Sequence, residues 1–382
     1  MSVPSKRKTI ESLCVTVTSG GTPSRAKANY WDNGTIPWFK TGELNDWYLD
    51  DAEERITEDA LSASSAKLFP PETVLMAMYG DGRTITTLGL LRAEAATNQA
   101  CCAMIVDAEK CHFLYLFYAL KYHRHELLKL VVSGAQRNLS GGIIRSFKIN
   151  CPPLATQNLI AAVLSPYDDL IDNNRRRIKL LEDSVRLLFD EWFVRLRFSG
   201  HTMSALVEGL PAGWLKLALD EVLLLQRGFD LPSQDRLAGD VPIYGSTGIV
   251  GFHNTAKVPG PGLVTGRSGS LGEVHFVAQD FWPLNTALWV KEFKRVTPLF
   301  ALHLLRGMNL GQYNGGVSVP TLDRKVVHKA EVLLPSALIM ERFESMAADV
   351  YRQIHTLTEM NHKLRTARDL LLPRLMSGEL QA

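Results

Sequence analysis

The second half of this chain resembles the first at an offset of about 182 residues, and that duplication limits the fold more than any other feature of the sequence. Asp81-Gly82-Arg83-Thr84 answers to Thr265-Gly266-Arg267-Ser268, and Asn98-Gln99-Ala100 to Asn285-Thr286-Ala287. An apolar helical stretch comes next, Phe113–Leu130 in one half and Leu299–Leu310 in the other. It closes on Gly134-Ala135-Gln136-Arg137-Asn138-Leu139 and on Gly316-Val317-Ser318-Val319-Pro320-Thr321-Leu322. A short alternating strand then leads to Pro153 or Pro335, and a long helical pattern follows each proline. Ile36-Pro37-Trp38 and Val241-Pro242-Ile243 match at an offset near 205, so the first half carries about twenty extra residues within Gly42–Leu68. A repeat of this length is no solenoid unit, and each half predicts its own folded domain.

The two helical patterns are heptad seams. Ile160, Leu164, Tyr167, Ile171, Asn174, Ile178, Leu181, Val185, Leu188 and Trp192 fall at alternating steps of four and three. Phe343, Ala347, Val350, Ile354, Leu357, Asn361, Leu364, Arg368, Leu371 and Leu375 repeat that spacing, each displaced by 183. Ser165-Pro166-Tyr167-Asp168 reads as a helix start, which predicts a break at Ser165 and a rod from Pro166 to Arg195 of about 45 Å. The opposite face, from Asp168 through Arg175, Arg176 and Arg177 to Arg186, is crowded with charge and reads as solvated. A helix leaving the first domain and its repeat-mate leaving the second can satisfy both seams by running antiparallel about a pseudo-twofold axis. Asn174 and Asn361 fit either a register lock or partly exposed positions.

Composition excludes several classes. With 382 residues, 46% hydrophobic and 21% charged, the chain folds as an ordinary globular protein of several units. Lys+Arg 42 against Asp+Glu 40 makes no polycation, so any nucleic-acid contact must come from local charge. Residues 1–153 hold 17 basic and 16 acidic groups; outside the acidic Gly42–Leu68 segment the balance is 15 to 8, and that segment is expected to lie away from phosphate. Cys14, Cys101, Cys102, Cys111 and Cys151 have neither the even count nor the spacing of a disulfide or zinc framework. No apolar run approaches a membrane span, and the expected location is the cytoplasm.

Gly20-Gly21-Thr22-Pro23-Ser24-Arg25-Ala26-Lys27 and Trp38-Phe39-Lys40-Thr41 combine backbone donors, cations and planar rings, with Tyr244-Gly245-Ser246-Thr247-Gly248 as their counterpart. Arg and Lys bond guanine edges in pairs, Asn and Gln adenine edges, and Ser or Thr phosphate, so these loops suit groove readout. Gly-rich turns that merely close hairpins are the competing explanation. Catalytic signatures are missing: there is no phosphate loop and no N/D-P-P-Y run. Ser64-Ser-Ala-Lys67 lacks the companion motifs of an S-x-x-K nucleophile, and His123 and His125 sit two apart on a helix, which points their rings away from each other and predicts a solvated face and not a metal site.

Ala155-Thr-Gln157-Asn-Leu-Ile-Ala-Ala-Val-Leu-Ser165-Pro-Tyr-Asp-Asp-Leu-Ile-Asp-Asn-Asn-Arg-Arg, following the proline of a half-repeat, resembles the specificity subunit of type I restriction-modification systems. Leu187-Leu-Phe189-Asp-Glu-Trp192-Phe193, Pro211-Ala-Gly213-Trp214 and Asp369-Leu-Leu-Leu-Pro373-Arg-Leu-Met-Ser377-Gly378-Glu379-Leu380 are similar to other landmarks of that family. The resemblance implies an α+β chain: two tandem target recognition domains of α/β type, residues 1–153 and 199–336, separated by a central spacer helix, 154–198, and a distal one, 337–382. These helices would form an antiparallel coiled coil that sets the gap in a split double-stranded DNA site and binds two methyltransferase subunits. The chain would be non-enzymatic and hold no cofactor or metal. S-adenosylmethionine would belong to the methyltransferase partners, and ATP with Mg to two restriction (nuclease-translocase) subunits where these occur.

Within that scheme the DNA-reading candidates are Arg25, Lys27, Tyr30, Lys40, Arg83, Gln136 and Arg137 in the first domain. Tyr244, Ser246, Arg267, Ser268, Ser318 and Arg324 are those of the second. Phe189, Trp192, Phe193 and Leu372 are candidate partner anchors, with packing against their own domain as the alternative. A coiled-coil scaffold joining two protein-binding domains, with no DNA contact, is the rival reading; it predicts no fall of DNA affinity with salt.

Overall fold

The computed structural model describes residues 6–80, 84–132, 138–198, 200, 205–207, 209–316 and 319–380. Two compact units divide the chain, one of residues 1–174 with 360–382 and one of residues 175–359.

In the first unit, a five-stranded sheet runs in the order Cys14–Ser19, Cys101–Val106, Val74–Ala77, Leu88–Leu91, Tyr48–Leu49. Val74–Ala77 is buried along its whole length, so its near-continuous apolar sequence marks a central strand covered on both faces. A second sheet places Ile36–Phe39 parallel to Ala95–Thr97, with Trp38 opposite Ala96. Lys6–Thr9 pairs with Lys148–Cys151, which ties the start of the domain to the strand that leads into the central helix.

The second unit repeats this plan. Leu223–Arg227, Ala287–Phe293, Gly262–Gly266 and Val274–Val277 form the main sheet in that order. Val241–Gly245 lies parallel to Trp282–Pro283, and Leu215–Ala218 pairs with Glu331–Leu334. Ile36-Pro37-Trp38 and Val241-Pro242-Ile243 thus occupy matching strands, as do the strands that lead to Pro153 and Pro335. The extra residues of the first half supply Tyr48–Leu49, a fifth strand parallel to Leu90–Leu91. The main sheet of the second unit ends instead at Val274–Val277.

The central helix runs unbroken over Leu154–Phe189, continued by a π-helical turn, Asp190–Val194. The break expected at Ser165 does not occur. Pro166 and Ala162 are both exposed, so the carbonyl that the proline leaves without its helical donor faces water. Burial of Ile160, Leu164 and Ile171 on either side holds the helix through that point. The apolar stretch after Phe113, by contrast, divides at His123 into Phe113–Tyr122 and Arg124–Lys129. His123 is buried against Phe147, with Nδ1 2.8 Å from Glu126, and is not on a solvated face.

The distal helix spans Ala337–Met376. In the first unit Asn174 faces Asn361 and Asp168 faces Arg368, so the two helices run antiparallel there. Asn174 Nδ2 donates to Asn361 Oδ1 at 2.9 Å, and both residues are buried. This is the register-lock alternative rather than the exposed one.

Asp168 corrects the sequence reading. It belongs to the charged run, yet its side chain is only 4% exposed. It pairs with the guanidinium of Arg368, accepts a 2.9 Å hydrogen bond from the Tyr118 hydroxyl and lies 3.8 Å from Lys121 Nζ. Burial pushes the Lys121 pKa down against the pull of Asp168, while at Arg368 the carboxylates of Asp168 and Asp369 outweigh burial and raise it. The charge is tolerated inside because the neighbouring helices supply its counter-ions.

Candidate nucleic-acid interface

The first unit holds its candidate cations close to aromatic rings and to acid. Gly20 and Gly21 are required for close approach: a Cβ would fall 2.0 Å from the Thr97 carbonyl oxygen at one and 2.2 Å from that of Ser65 at the other. Their N–H groups bond the carbonyls of Cys101 and Thr97, so they are structural donors and not free ones. Trp38 Nε1 donates to the Gly21 carbonyl at 3.0 Å and pins the loop onto its strand.

Arg25 then stacks over Trp31, 3.7 Å from the ring centroid, and pairs with Glu54. Lys40 bonds Glu53 at 2.7 Å and Glu54 at 3.1 Å. The bond from Arg25 holds the Glu54 carboxyl below its ordinary range, and the bonds to Glu53 and Glu54 raise Lys40. The acidic segment therefore does not lie away from the basic residues. The strand Glu54–Ile56 pairs with Ile36–Phe39, and that register brings Glu54 opposite Trp38, beside both cations. Tyr30 is buried in a small apolar cluster, and its hydroxyl accepts from Lys27 Nζ at 2.9 Å. Its ring is core, a correction to the reading of it as a base contact. Arg83, Gln136 and Arg137 lie outside the described residues.

The second unit gathers a different set. Arg227, Arg267, Arg324 and Lys325 line one open cleft with Thr321 and Asp323. Arg267 is positioned twice: its N–H donates to the Thr286 carbonyl at 2.9 Å and its Nη1 to the Asn285 carbonyl at 3.0 Å. Ser268 bridges to Thr321 at the same place. Arg324 opens a short helix, Arg324–His328, whose N-cap Asp323 accepts from the Lys325 N–H at 2.9 Å. Arg227 pairs with Asp230 at 3.2 Å, while neither Arg324 nor Lys325 forms an ion pair among the described residues. Four cations against one lining carboxylate make this cleft anion-attracting.

Arg227 and Lys325 were not legible as site residues, since Arg227 ends a strand far earlier in the chain than the helix that brings Lys325 to the cleft. Ser246 occupies the two-residue turn of the hairpin Val241–Gly245 and Gly248–His253, closed by Gly248 at φ +96°. Its carbonyl lies against Gly266, where a Cβ would come within 3.0 Å of it. Tyr244 is buried and lines another cleft, with His275, Arg306 and Tyr351. Ser318 lies outside the described residues.

Three of the four apolar anchors read from the sequence, Phe189, Phe193 and Leu372, are core residues. Phe189 and Phe193 pack on Phe300 and Phe343 in the second unit, with the half-buried Trp192 edge-on to Phe193. Leu372 joins the core of the first unit. The helix Pro298–Gly307 and the distal helix supply the rings that pack on Phe189 and Phe193, while the sequence shows them only as large groups near helix ends. Other apolar side chains are exposed along the central helix: Leu159, Val163 and Leu170 in the first unit, and Leu180, Leu187 and Val194 in the second.

The profile of the type I restriction modification DNA specificity domain matches residues 3–183. The type I restriction enzyme MjaIX specificity subunit of Methanocaldococcus jannaschii is 26% identical over 398 residues, covering 96% of this chain and 91% of that protein. The match covers residues 3–183, and over nearly its whole length the chain is similar to type I restriction enzyme specificity subunits. The EcoprrI specificity subunit of Escherichia coli is 24% identical, with 87% of this chain and 86% of the relative covered. The crystal structure of an S subunit from M. genitalium shares the fold at a TM-score of 0.59, with 16% identity and 98% and 96% of the two chains covered. Both the MjaIX and the EcoprrI relatives are named specificity subunits. The five cysteines of this chain are buried and free, and burial raises Cys14, Cys101 and Cys102 to about 12, well away from nucleophilic thiolates. Among the described residues no helix is long and apolar enough to cross a membrane.

Proposed function

We propose that this chain is the specificity subunit of a type I restriction-modification system, that it reads a bipartite double-stranded DNA target, one half-site per recognition domain, and that it docks the methyltransferase subunits that modify it. The observation that carries the reading is the cationic cleft of the second unit, where Arg267 is held by Asn285 and Thr286 beside Arg324, Lys325 and Arg227. Phosphate contacts from Arg324 and Lys325 would fix register, and the pinned Arg267 guanidinium would discriminate a base edge. In the first domain Arg25 and Lys27, with Lys40 beside them, are the corresponding candidates. The exposed Leu159, Val163, Leu170, Leu180, Leu187 and Val194 on the central helix are the docking groups in this reading, in place of the buried Phe189, Phe193 and Leu372. Residues 154–198 and 337–382 serve as the spacer. S-adenosylmethionine stays with the methyltransferase subunits, and ATP with Mg with the restriction subunits.

The test is to sequence the methylated adenines in a host carrying this chain with its methyltransferase, before and after exchange of residues 1–153. One half of the target changes while the other half stays. A change in both halves, or in neither, refutes the assignment of one half-site to each domain.

A further inference from the structure

The repeat places opposite chemistry at equivalent points of the two helices. At the common displacement of 183, Asp168 corresponds to Tyr351, Arg368 to Val185, Asn174 to Leu357 and Asn361 to Ile178. In the first unit these points hold two buried polar layers: Asp168 with Arg368, supported by Tyr118 and Lys121, and Asn174 with Asn361. In the second unit they are neutral. The Tyr351 hydroxyl lies 3.3 Å from His303 Nε2, Val185 is packed in the apolar core, and Leu357 is buried. Seam positions such as Leu181 and Leu364, or Leu188 and Leu371, are identical between the repeats and discriminate nothing.

Each helix has a leading half, which follows a recognition domain, and a trailing half. The leading half that carries Asp168 and Asn174 could be covered by either of two trailing halves with the same heptad spacing. One bears Asn361 and Arg368, the other Ile178 and Val185. We infer that the two buried polar layers are a pairing code, which makes the leading half of the central helix accept the trailing half of the distal helix and reject the trailing half of the central helix from a second copy of this chain. In the rejected pairing Asp168 faces Val185 and Asn174 faces Ile178. Lys121 then loses no charge of its own but shares a carboxylate whose chief counter-ion is gone. A buried carboxylate without its chief counter-ion and a buried amide without its partner oppose that association. The inference concerns which helix segments associate and rests on neither DNA reading nor methyltransferase docking.

Two full-length chains with different affinity tags test it, one Asp168→Arg and the other Arg368→Asp. Each variant alone sets like charges against each other within its own chain and loses soluble yield. Expressed together, the arginine introduced into one chain meets the aspartate introduced into the other, and the unaltered Asp168 and Arg368 meet in the same way. The two tags then co-purify at 1:1 with the mass of two chains by light scattering. The double variant Asp168→Arg/Arg368→Asp in one chain recovers the unaltered mass and part of the denaturation midpoint lost by either single variant, the rest being withheld by Lys121 and Asp369, which stay beside the exchanged pair. The inference is overturned if the paired variants co-purify no more than two differently tagged wild-type chains, or if either single variant keeps the wild-type mass and midpoint. It is equally overturned if the double variant is no more stable than either single variant, since the exchanged arginine and aspartate must still recognise each other.

Discussion

Replacing Glu53 and Glu54 with glutamine should strengthen DNA binding without regard to sequence. In the first unit these two carboxylates hold Lys40 at 2.7 and 3.1 Å, and Glu54 also engages Arg25, so two cations beside Trp38 are neutralised where they stand. Removing both charges leaves Lys40 and Arg25 available to phosphate. Each phosphate neutralised adds about 0.9 to the slope of log affinity against log salt, so two freed cations steepen it by about 1.8. Over a fourfold change in salt, about 0.6 log units, that difference is about tenfold in affinity, or about 1.4 kcal/mol. The lost ion pairs are solvent-exposed and contribute at most about 1 kcal/mol each to stability, so the variant stays folded. Fluorescence anisotropy with a labelled duplex, titrated between about 50 and 200 mM salt, reads the slope directly. A folded Glu53→Gln/Glu54→Gln variant with an unchanged slope would show that this face does not meet the phosphate backbone.

Other outcomes follow from the same geometry. Arg267→Ala should relax one base position of the second half-site by about 1–3 kcal/mol, whereas Lys325→Ala should weaken all sequences alike and reduce the salt slope by about 0.9; binding assays on a set of single-base variants separate the two. Leu164→Ala, which empties a fully buried seam position in the first unit, should destabilise by about 2–5 kcal/mol in urea unfolding. Burial lowers the His303 pKa to about 3, below its ordinary 6.5, so the folded protein keeps it neutral while the unfolded chain takes up a proton first. Stability is then unaffected above pH 6.5 and falls by about 1.4 kcal/mol per unit as the pH drops from there towards 3; a His303→Leu variant should lose that slope. Leu159→Asp with Leu170→Asp should reduce co-purification with methyltransferase subunits while leaving stability within about 0.5 kcal/mol of wild type, because both side chains are exposed.

The parts of this protein that were legible in the sequence are those with a repeat or a period. The matched strands around Trp38 and Ile243, and the seam from Ile160 to Leu375, follow from spacing alone. Long-range partnerships were not legible. Asp168 reads as surface because its neighbours Asp169 and Asp172 carry charge, and only the position of Arg368, on the distal helix, brings it inside. Lys40 reads as a free cation until the strand register sets Glu54 across from Trp38. Arg227 and Arg324 come from opposite ends of their domain and share a cleft through sheet order, which no local pattern encodes. Pro166 shows the limit of local rules from the other direction: the start signal at Ser165 is sound, yet apolar burial on both sides of it overrides the break.

The fifth strand of the first unit has a consequence for how recognition modules can be exchanged. Tyr48–Leu49 closes a sheet margin, and the same short segment is fastened to the helical layer by Asp46, which bonds Arg124 at 2.8 Å, and by Trp47, packed on Phe117 and Tyr118. A graft that imports new loops but trims this segment would strip a covering strand and leave a row of peptide groups open to any passing chain. Hybrid subunits should therefore keep their solubility only when the acidic segment travels with the domain it borders.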